Sequence, residues 1–302
     1  MVTSIENIYI SPLETCNLNC KYCYTKKIES ILTNEQILDF IKRYNTYLNS
    51  LDKSLKSITF CGGEVFIMPD FIGLINCLSD QNIFVSIITN GTIDNLDKIK
   101  NPNNCQLLVS LDGPEKIHDK NRGKGNFNRT IKFLKHGIKL GFHLEIMFLV
   151  TPDSYDFVKN FNNYLFKLTG QKIVINFITQ KSKPFTENHL LAIENNMESL
   201  TKEQILNIKR NYHTIPPKNF GCSQISLQSN GLIYGCCESS NSIGKISDKP
   251  EKLIKSFVDS LNGCSNCDQK NICGGCSDKD FLCGYKKELK LNSCTDVIKE
   301  FK

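Results

Sequence analysis

The sequence predicts an α/β fold, a partial (β/α)6 barrel of TIM-like type, followed by a small C-terminal cysteine-rich domain. Three observations carry this expectation. From residue 8 to about 180, apolar β-rich segments alternate with amphipathic helical ones, the pattern of parallel βα units. Cys16, Cys20 and Cys23 crowd into the run ETCNLNCKYC directly after the first strand segment, where a barrel carries its active-site loops. Residues 219 to 302 hold nine of the fifteen cysteines among frequent Gly, Ser and Asn, and a region with so little core is expected to fold around metal.

The strand segments, in order, are IYISPL, SITF, IFVSIITN, QLLVSLD, HLEIMFLV and KIVINFI. Each is short, rich in β-branched or aromatic residues, and separated from the next by a helical stretch. Thr33 with Gln36 ahead of an apolar stripe forms a capping-box signal for the first helix. The run NFNRTIKFLKHGIKLG has helical spacing and stops at Gly141. Residues 181 to 218 turn polar and helical, with a second capping-box signal at Thr201 and Gln204, until Pro216 and Pro217 interrupt them. The expected organisation is therefore a barrel over 1–180, a helical bridge over 181–218 and a metal-organised domain over 219–302.

Composition narrows the function classes. The 37 basic and 31 acidic residues leave a charge of +6 with no block of like charges, which reads as a solvated surface and argues against a nucleic-acid partner. No apolar run approaches the length of a membrane span, and the start MVTSIENIYISPLE lacks signal-peptide and transit features. A cytoplasmic protein with no membrane partner is expected. Its fifteen cysteines are about 5% of 302 residues, below the roughly 8–10% of disulfide scaffolds, and their clustering favours metal.

Soft thiolates select iron-sulfur clusters, zinc or copper(I). Three ligands on a four-iron cluster leave one iron open for a substrate. Structural zinc wants a fourth protein ligand, and the next cysteine, Cys61, belongs to a different strand. Gly62, Gly63 and Glu64 follow the second strand; they read either as part of a binding loop or as a tight turn with Glu64 on the surface. Cys61, Cys77 and Cys105 lie on or beside apolar segments and read as small core residues. His118 is as compatible with a structural as with a functional place, and spacing alone leaves a zinc ribbon open for the tail.

Together these motifs resemble the radical S-adenosylmethionine (SAM) enzymes with a C-terminal SPASM domain, a family that includes peptide-modifying and anaerobic sulfatase-maturing members. The triplet has that family's Cys-x3-Cys-x2-Cys spacing with Tyr22 before the third cysteine, and Gly62-Gly63-Glu64 resembles the segment that contacts the SAM amine. Asn90 follows the third strand, and VSLDGPEKIHDKNR matches peptide-modifying members. By that match, Ser110, Asp112 and Arg122 are candidates to hold the SAM ribose or carboxylate. In the tail, Cys222, Gly231 and Cys236 resemble the first half of the SPASM pattern. Cys264, Cys267, Cys273 and Cys276 resemble its Cys-x2-Cys-x5-Cys block, with two residues before the fourth cysteine where members have three. The resemblance implies one auxiliary cluster on Cys264, Cys267, Cys273 and Cys294. It implies a second on Cys222, Cys236 and Cys276, completed by Cys237, Cys283, water or a substrate thiol.

The resemblance implies three 4Fe-4S clusters and SAM as cofactors. It implies reductive cleavage of SAM to a 5'-deoxyadenosyl radical, within reach of cluster potentials as low as about −700 mV. Two extra clusters can accept electrons, which suggests a net oxidation. The expected substrate is a ribosomally made precursor peptide, crosslinked through a thioether or carbon-carbon bond. Alternatives are formylglycine formation in a sulfatase, oxidation of a small metabolite, and a non-enzymatic iron-sulfur electron carrier. Sulfatase maturases carry an Asp directly after the second SPASM cysteine, where this chain has Cys237. A low-potential donor such as flavodoxin or ferredoxin is implied. The first strand begins near residue 8, so a separate leader-binding protein is a further possible partner.

Overall fold

The computed structural model describes residues 5–23, 25–158, 160–179, 224–235, 237, 239 and 241–261. The bridge at 181–218 lies outside the described residues. So do Cys222, Cys236, Cys264, Cys267, Cys273, Cys276, Cys283 and Cys294.

All six expected strands form: β1 (Asn7–Ser11), β2 (Ser57–Phe60), β3 (Phe84–Thr89), β4 (Cys105–Ser110), β5 (His143–Val150) and β6 (Val174–Thr179). Helices α1 (Asn34–Asn49), α2 (Phe71–Asp80), α3 (Glu115–Arg122), α4 (Asn126–Leu140) and α5 (Phe161–Thr169) lie between them. Strands β7 (Gln224–Gln228), β8 (Leu232–Tyr234) and β9 (Ser242–Lys245) and helix α6 (Pro250–Leu261) follow. The described chain divides into two compact units, one drawn from residues 5–15, 27–85 and 224–261, the other from 16–26 and 86–179. Strand β3 spans the division.

In the first unit the strands stand in the order β2-β1-β7-β8-β9. Strand β1 pairs in parallel with both neighbours, Ile8 opposite Ile58 and Ile225, Ile10 opposite Phe60 and Leu227. These six side chains are all buried, so two apolar rows cross three strands. Strands β7 to β9 were not expected from the sequence. The segment QISLQ shows only two apolar residues between polar ones, and it becomes a strand because Ile225 and Leu227 fall in register with the β1 isoleucines. Helix α1 turns Ile37, Phe40, Ile41, Tyr44 and Leu48 inward, and the Tyr44 hydroxyl donates to the Ile5 carbonyl at 3.0 Å.

The capping box is present. The Gln36 N–H donates to Thr33 Oγ1 at 3.2 Å, and the Thr33 N–H donates to Gln36 Oε1 at 2.9 Å. Thr33→Ala is expected to lower stability by about 1 kcal/mol, read as a shift of the urea midpoint at unchanged slope; no shift would mean that water replaces the cap at no cost.

In the second unit the order is β6-β5-β4, paired in parallel. Phe148 on β5 meets Phe161 of α5 edge-on at 4.7 Å and Phe177 of β6 at 5.4 Å. Helix α4 ends on Gly141 at φ 83°, the left-handed terminus expected there. Cys61 and Cys105 are buried as expected, but Cys77 is only half-buried. Helix α2 turns Phe71, Leu74, Ile75 and Leu78 inward and leaves Cys77 at the rim of that face. Among the described residues no helix is long and apolar enough to cross a membrane.

Candidate active site

The loop carrying the three cysteines leaves β1 and returns beside its own start. Leu13 bridges Ile31, and the Leu32 N–H donates to the Pro12 carbonyl at 2.8 Å. Within the loop the Cys23 N–H reaches the Cys20 carbonyl at 3.2 Å, a tight turn between the second and third cysteines. Cys16, Cys20 and Cys23 are all free thiols, the first two half-buried and the third exposed. Cys16 Sγ accepts from the Leu18 N–H at 3.4 Å and from Asn90 Nδ2 at 3.8 Å. Burial pushes the Cys20 thiol up, and the Arg122 guanidinium pulls it back.

Asn90 is the hub of this side of the loop. Its amide donates to Asn17 Oδ1 at 3.0 Å, its Oδ1 accepts from the Thr92 hydroxyl at 2.6 Å, and Asn17 Nδ2 donates to Thr92 Oγ1 at 2.9 Å. Asn17 and Thr92 were not singled out from the sequence. Their role depends on a contact spanning more than seventy residues, and an Asn between cysteines carries no signal of it.

Gly62 and Gly63 are half-buried and Glu64 is buried, which rules out the reading of Glu64 as a surface residue. The Gly63 N–H donates to the Leu13 carbonyl and the Glu64 N–H to the Thr15 carbonyl, both at 3.0 Å. A Cβ on Gly62 would stand 2.2 Å from the Leu13 oxygen, and one on Gly63 1.9 Å from the Thr15 oxygen. Glycine is needed because backbone lies against backbone. Glu64 is fully buried, and its Oε1 accepts from the Phe66 N–H at 3.2 Å.

Past β4 the chain brings together three more of the expected residues. Tyr22 donates its hydroxyl to Asp112 Oδ2. Arg122 grips the same carboxylate with both arms, Nε to Oδ2 at 2.8 Å and Nη2 to Oδ1 at 3.1 Å. Burial alone would lower the Arg122 pKa, but the Asp112 carboxylate outweighs it and holds the guanidinium charged. Behind them His118 is fully buried, and its Nδ1 accepts from the Asp112 N–H at 3.3 Å. Burial pushes His118 down to about 4, so it is neutral with its proton on Nε2. Ser110, the last residue of β4, is half-buried. Cys237, three residues past β8, is half-buried and free.

The donor set suits an iron-sulfur cluster: three free thiols on one loop, with N–H groups directed at the Cys16 sulfur. Among the described residues no three His, Cys, Asp or Glu side chains stand close enough to hold a single metal ion. Thiolates on a four-iron cluster bind separate irons and do not need to converge on one point.

Comparison with known proteins agrees with this chemistry. The sequence profile of the Radical SAM superfamily matches residues 10–161. The radical SAM cyclopropyl synthase TigE of Paramaledivibacter caminithermalis is 23% identical over 323 aligned positions, covering 90% of this chain and 67% of that protein. The cysteine-type anaerobic sulfatase-maturating enzyme of Clostridium novyi is 34% identical over 140 residues, 40% of this chain and 37% of that protein. The structure of Streptococcus suis SuiB bound to S-adenosylmethionine superposes with a TM-score of 0.66 at 15% identity, covering 96% of this chain and 75% of that one. The same protein bound to its precursor peptide SuiA gives 0.56 at 17%, covering 96% and 74%. The structural likeness shows the fold, a mixed α/β parallel-sheet partial barrel. Because the profile spans half of the residues and begins in the strand that leads into the cysteine loop, the chain belongs to the Radical SAM superfamily, enzymes that use a four-iron cluster and SAM for radical chemistry.

Proposed function

We propose that this chain is a SPASM-type maturase that oxidatively crosslinks a ribosomally made peptide. The observation that carries this reading is the similarity to TigE over 90% of the chain, which extends past the superfamily profile toward the cysteine-rich tail. SuiB, bound to a precursor peptide in its structure, supports a peptide substrate.

In this reading Cys16, Cys20 and Cys23 hold the SAM-binding cluster. Gly62 and Gly63 let backbone approach closely, and the buried Glu64 carboxylate receives the SAM amine. Asn90 and Ser110 line the same ligand, while Tyr22, Asp112 and Arg122 lie close to the cysteine loop or directly in it. The tail cysteines, Cys222, Cys236, Cys264, Cys267, Cys273, Cys276 and Cys294, with Cys237 or Cys283 as an added ligand, hold two auxiliary clusters. When bound, these groups supply a 5'-deoxyadenosyl radical able to take hydrogen from unactivated carbon, and a sink for the electron left behind. The protein's own work is to exclude water and hold the target carbon in place.

Formylglycine formation is the second reading, favoured by the identity to the Clostridium novyi maturase. Cys237 stands against it, because those maturases resemble one another in carrying Asp at that position.

Anaerobic reconstitution should load about twelve irons per chain. Reaction with SAM, a low-potential reductant and Cys-containing peptides should give a product lighter by two hydrogen atoms. A carbonyl trapped by hydrazine in a sulfatase peptide would reverse the ranking, and four irons with stoichiometric zinc would overturn the auxiliary clusters.

A further inference from the structure

We propose that Tyr22, Asp112 and Arg122 form a clamp that holds the cysteine loop in its ligating shape before any cluster or SAM arrives. The proposal rests on the reading that Cys16, Cys20 and Cys23 are cluster ligands, and it gives Asp112 and Arg122 a positioning task in place of a grip on SAM.

Tyr22 lies between Cys20 and Cys23, so whatever fixes Tyr22 fixes the spacing of those two thiols. Three contacts fix it. Its hydroxyl donates to Asp112, the Arg122 guanidinium stacks over its ring at 5.5 Å, and the preceding Lys21 N–H donates to the Asn121 carbonyl at 3.0 Å. The last contact joins the loop backbone to the residue next to Arg122. The anchor does not move easily, because His118 receives the Asp112 N–H from behind.

Both the burial of the pair and its partners favour the positioning role. The Asp112 side chain is 0% exposed and that of Arg122 11%. The carboxylate already accepts three hydrogen bonds, one from Tyr22 and two from Arg122, out of the roughly four its lone pairs allow. The contacts that engage the carboxylate all come from the chain itself, so the pair is already committed to holding Tyr22, and only its leftover donors and lone pair could serve a ligand. As it stands, the pair is neutral overall and ties the loop to α3. A loop ordered in advance loses less conformational entropy when it binds its ligand.

Site-resolved alkylation of the full-length apo-protein with iodoacetamide, read by mass spectrometry at each cysteine, tests the clamp without cluster or SAM. Exposed Cys23 is the fast reference, and Cys105, 0% exposed on β4, reports global unfolding. Arg122→Ala and Asp112→Asn should speed labelling of half-buried Cys20 about tenfold while Cys105 stays unlabelled, and Tyr22→Phe should do so less. Arg122→Lys, which keeps the charge but not the two-armed grip, should fail to restore protection. Unchanged Cys20 labelling in folded variants would overturn the clamp, and more so if the reconstituted variants bind SAM more weakly. Where a variant labels Cys105, Tyr22→Phe decides, since it removes one hydroxyl and leaves the ring. Separately, iron and sulfide should protect all three loop thiols of the wild type; failure of that protection would remove the cluster reading itself.

Discussion

Replacing Cys16, Cys20 and Cys23 together by alanine is expected to abolish 5'-deoxyadenosine formation while roughly eight irons stay bound. The three thiols sit on one loop whose ends are closed by the Leu13–Ile31 bridge, so their removal leaves the strands beneath untouched. Cys61 and Cys105 cannot replace them, because both are buried in the apolar interior, and Cys77 is on α2. The loss should exceed a thousandfold, since without an open iron SAM is neither bound nor reduced. Iron counting and chromatography of the nucleoside check it. A triple variant that still releases 5'-deoxyadenosine would refute the active-site assignment, and one that loses all its iron would mean that the tail holds none.

Gly63→Ala should be nearly as damaging, through stability instead of chemistry. An added Cβ would lie 1.9 Å from the Thr15 oxygen, 2.4 Å from the Thr15 carbonyl carbon and 2.6 Å from the Glu14 oxygen. All three are backbone atoms, so no side chain can swing aside. Either the Gly63 or the Thr15 segment must shift, breaking the 3.0 Å bonds from Gly63 to Leu13 and from Glu64 to Thr15. The expected cost is at least about 3 kcal/mol, seen as a fall of roughly 6 °C or more in the unfolding midpoint. Gly137→Ala is the control. There the nearest atom is Leu144 Cδ2 at 3.3 Å, the end of a flexible side chain, and the helix gains from alanine. Equal midpoints for the two variants would show that the loop accommodates a side chain and that its glycines are not required for close approach.

The features legible in the chain alone are local. Period-2 and period-3.6 patterns placed six strands and the helices around them, because each face reads out which side chains will leave water. The Thr33–Gln36 cap and the Gly141 terminus were legible because each involves residues no more than four apart. The cysteine loop was legible for the same reason, since its ligand types and spacing lie within eight residues.

The remainder depends on contacts between residues far apart in the chain. QISLQ becomes β7 through pairing with β1, more than two hundred residues away. Glu64 is buried because the backbone of residues 13 to 15 covers its segment, and Cys77 stays at a rim because α2 presents another face inward. That Asp112 pairs with Arg122 and with Tyr22, ninety residues earlier in the chain, was equally invisible to local pattern. Composition and periodicity report how much each residue avoids water, but not which partner it meets when it does. A charged side chain reads the same in sequence whether it will bind a ligand or its neighbour. The folded chain alone brings one carboxylate, one guanidinium and one phenol together, from segments ninety residues apart.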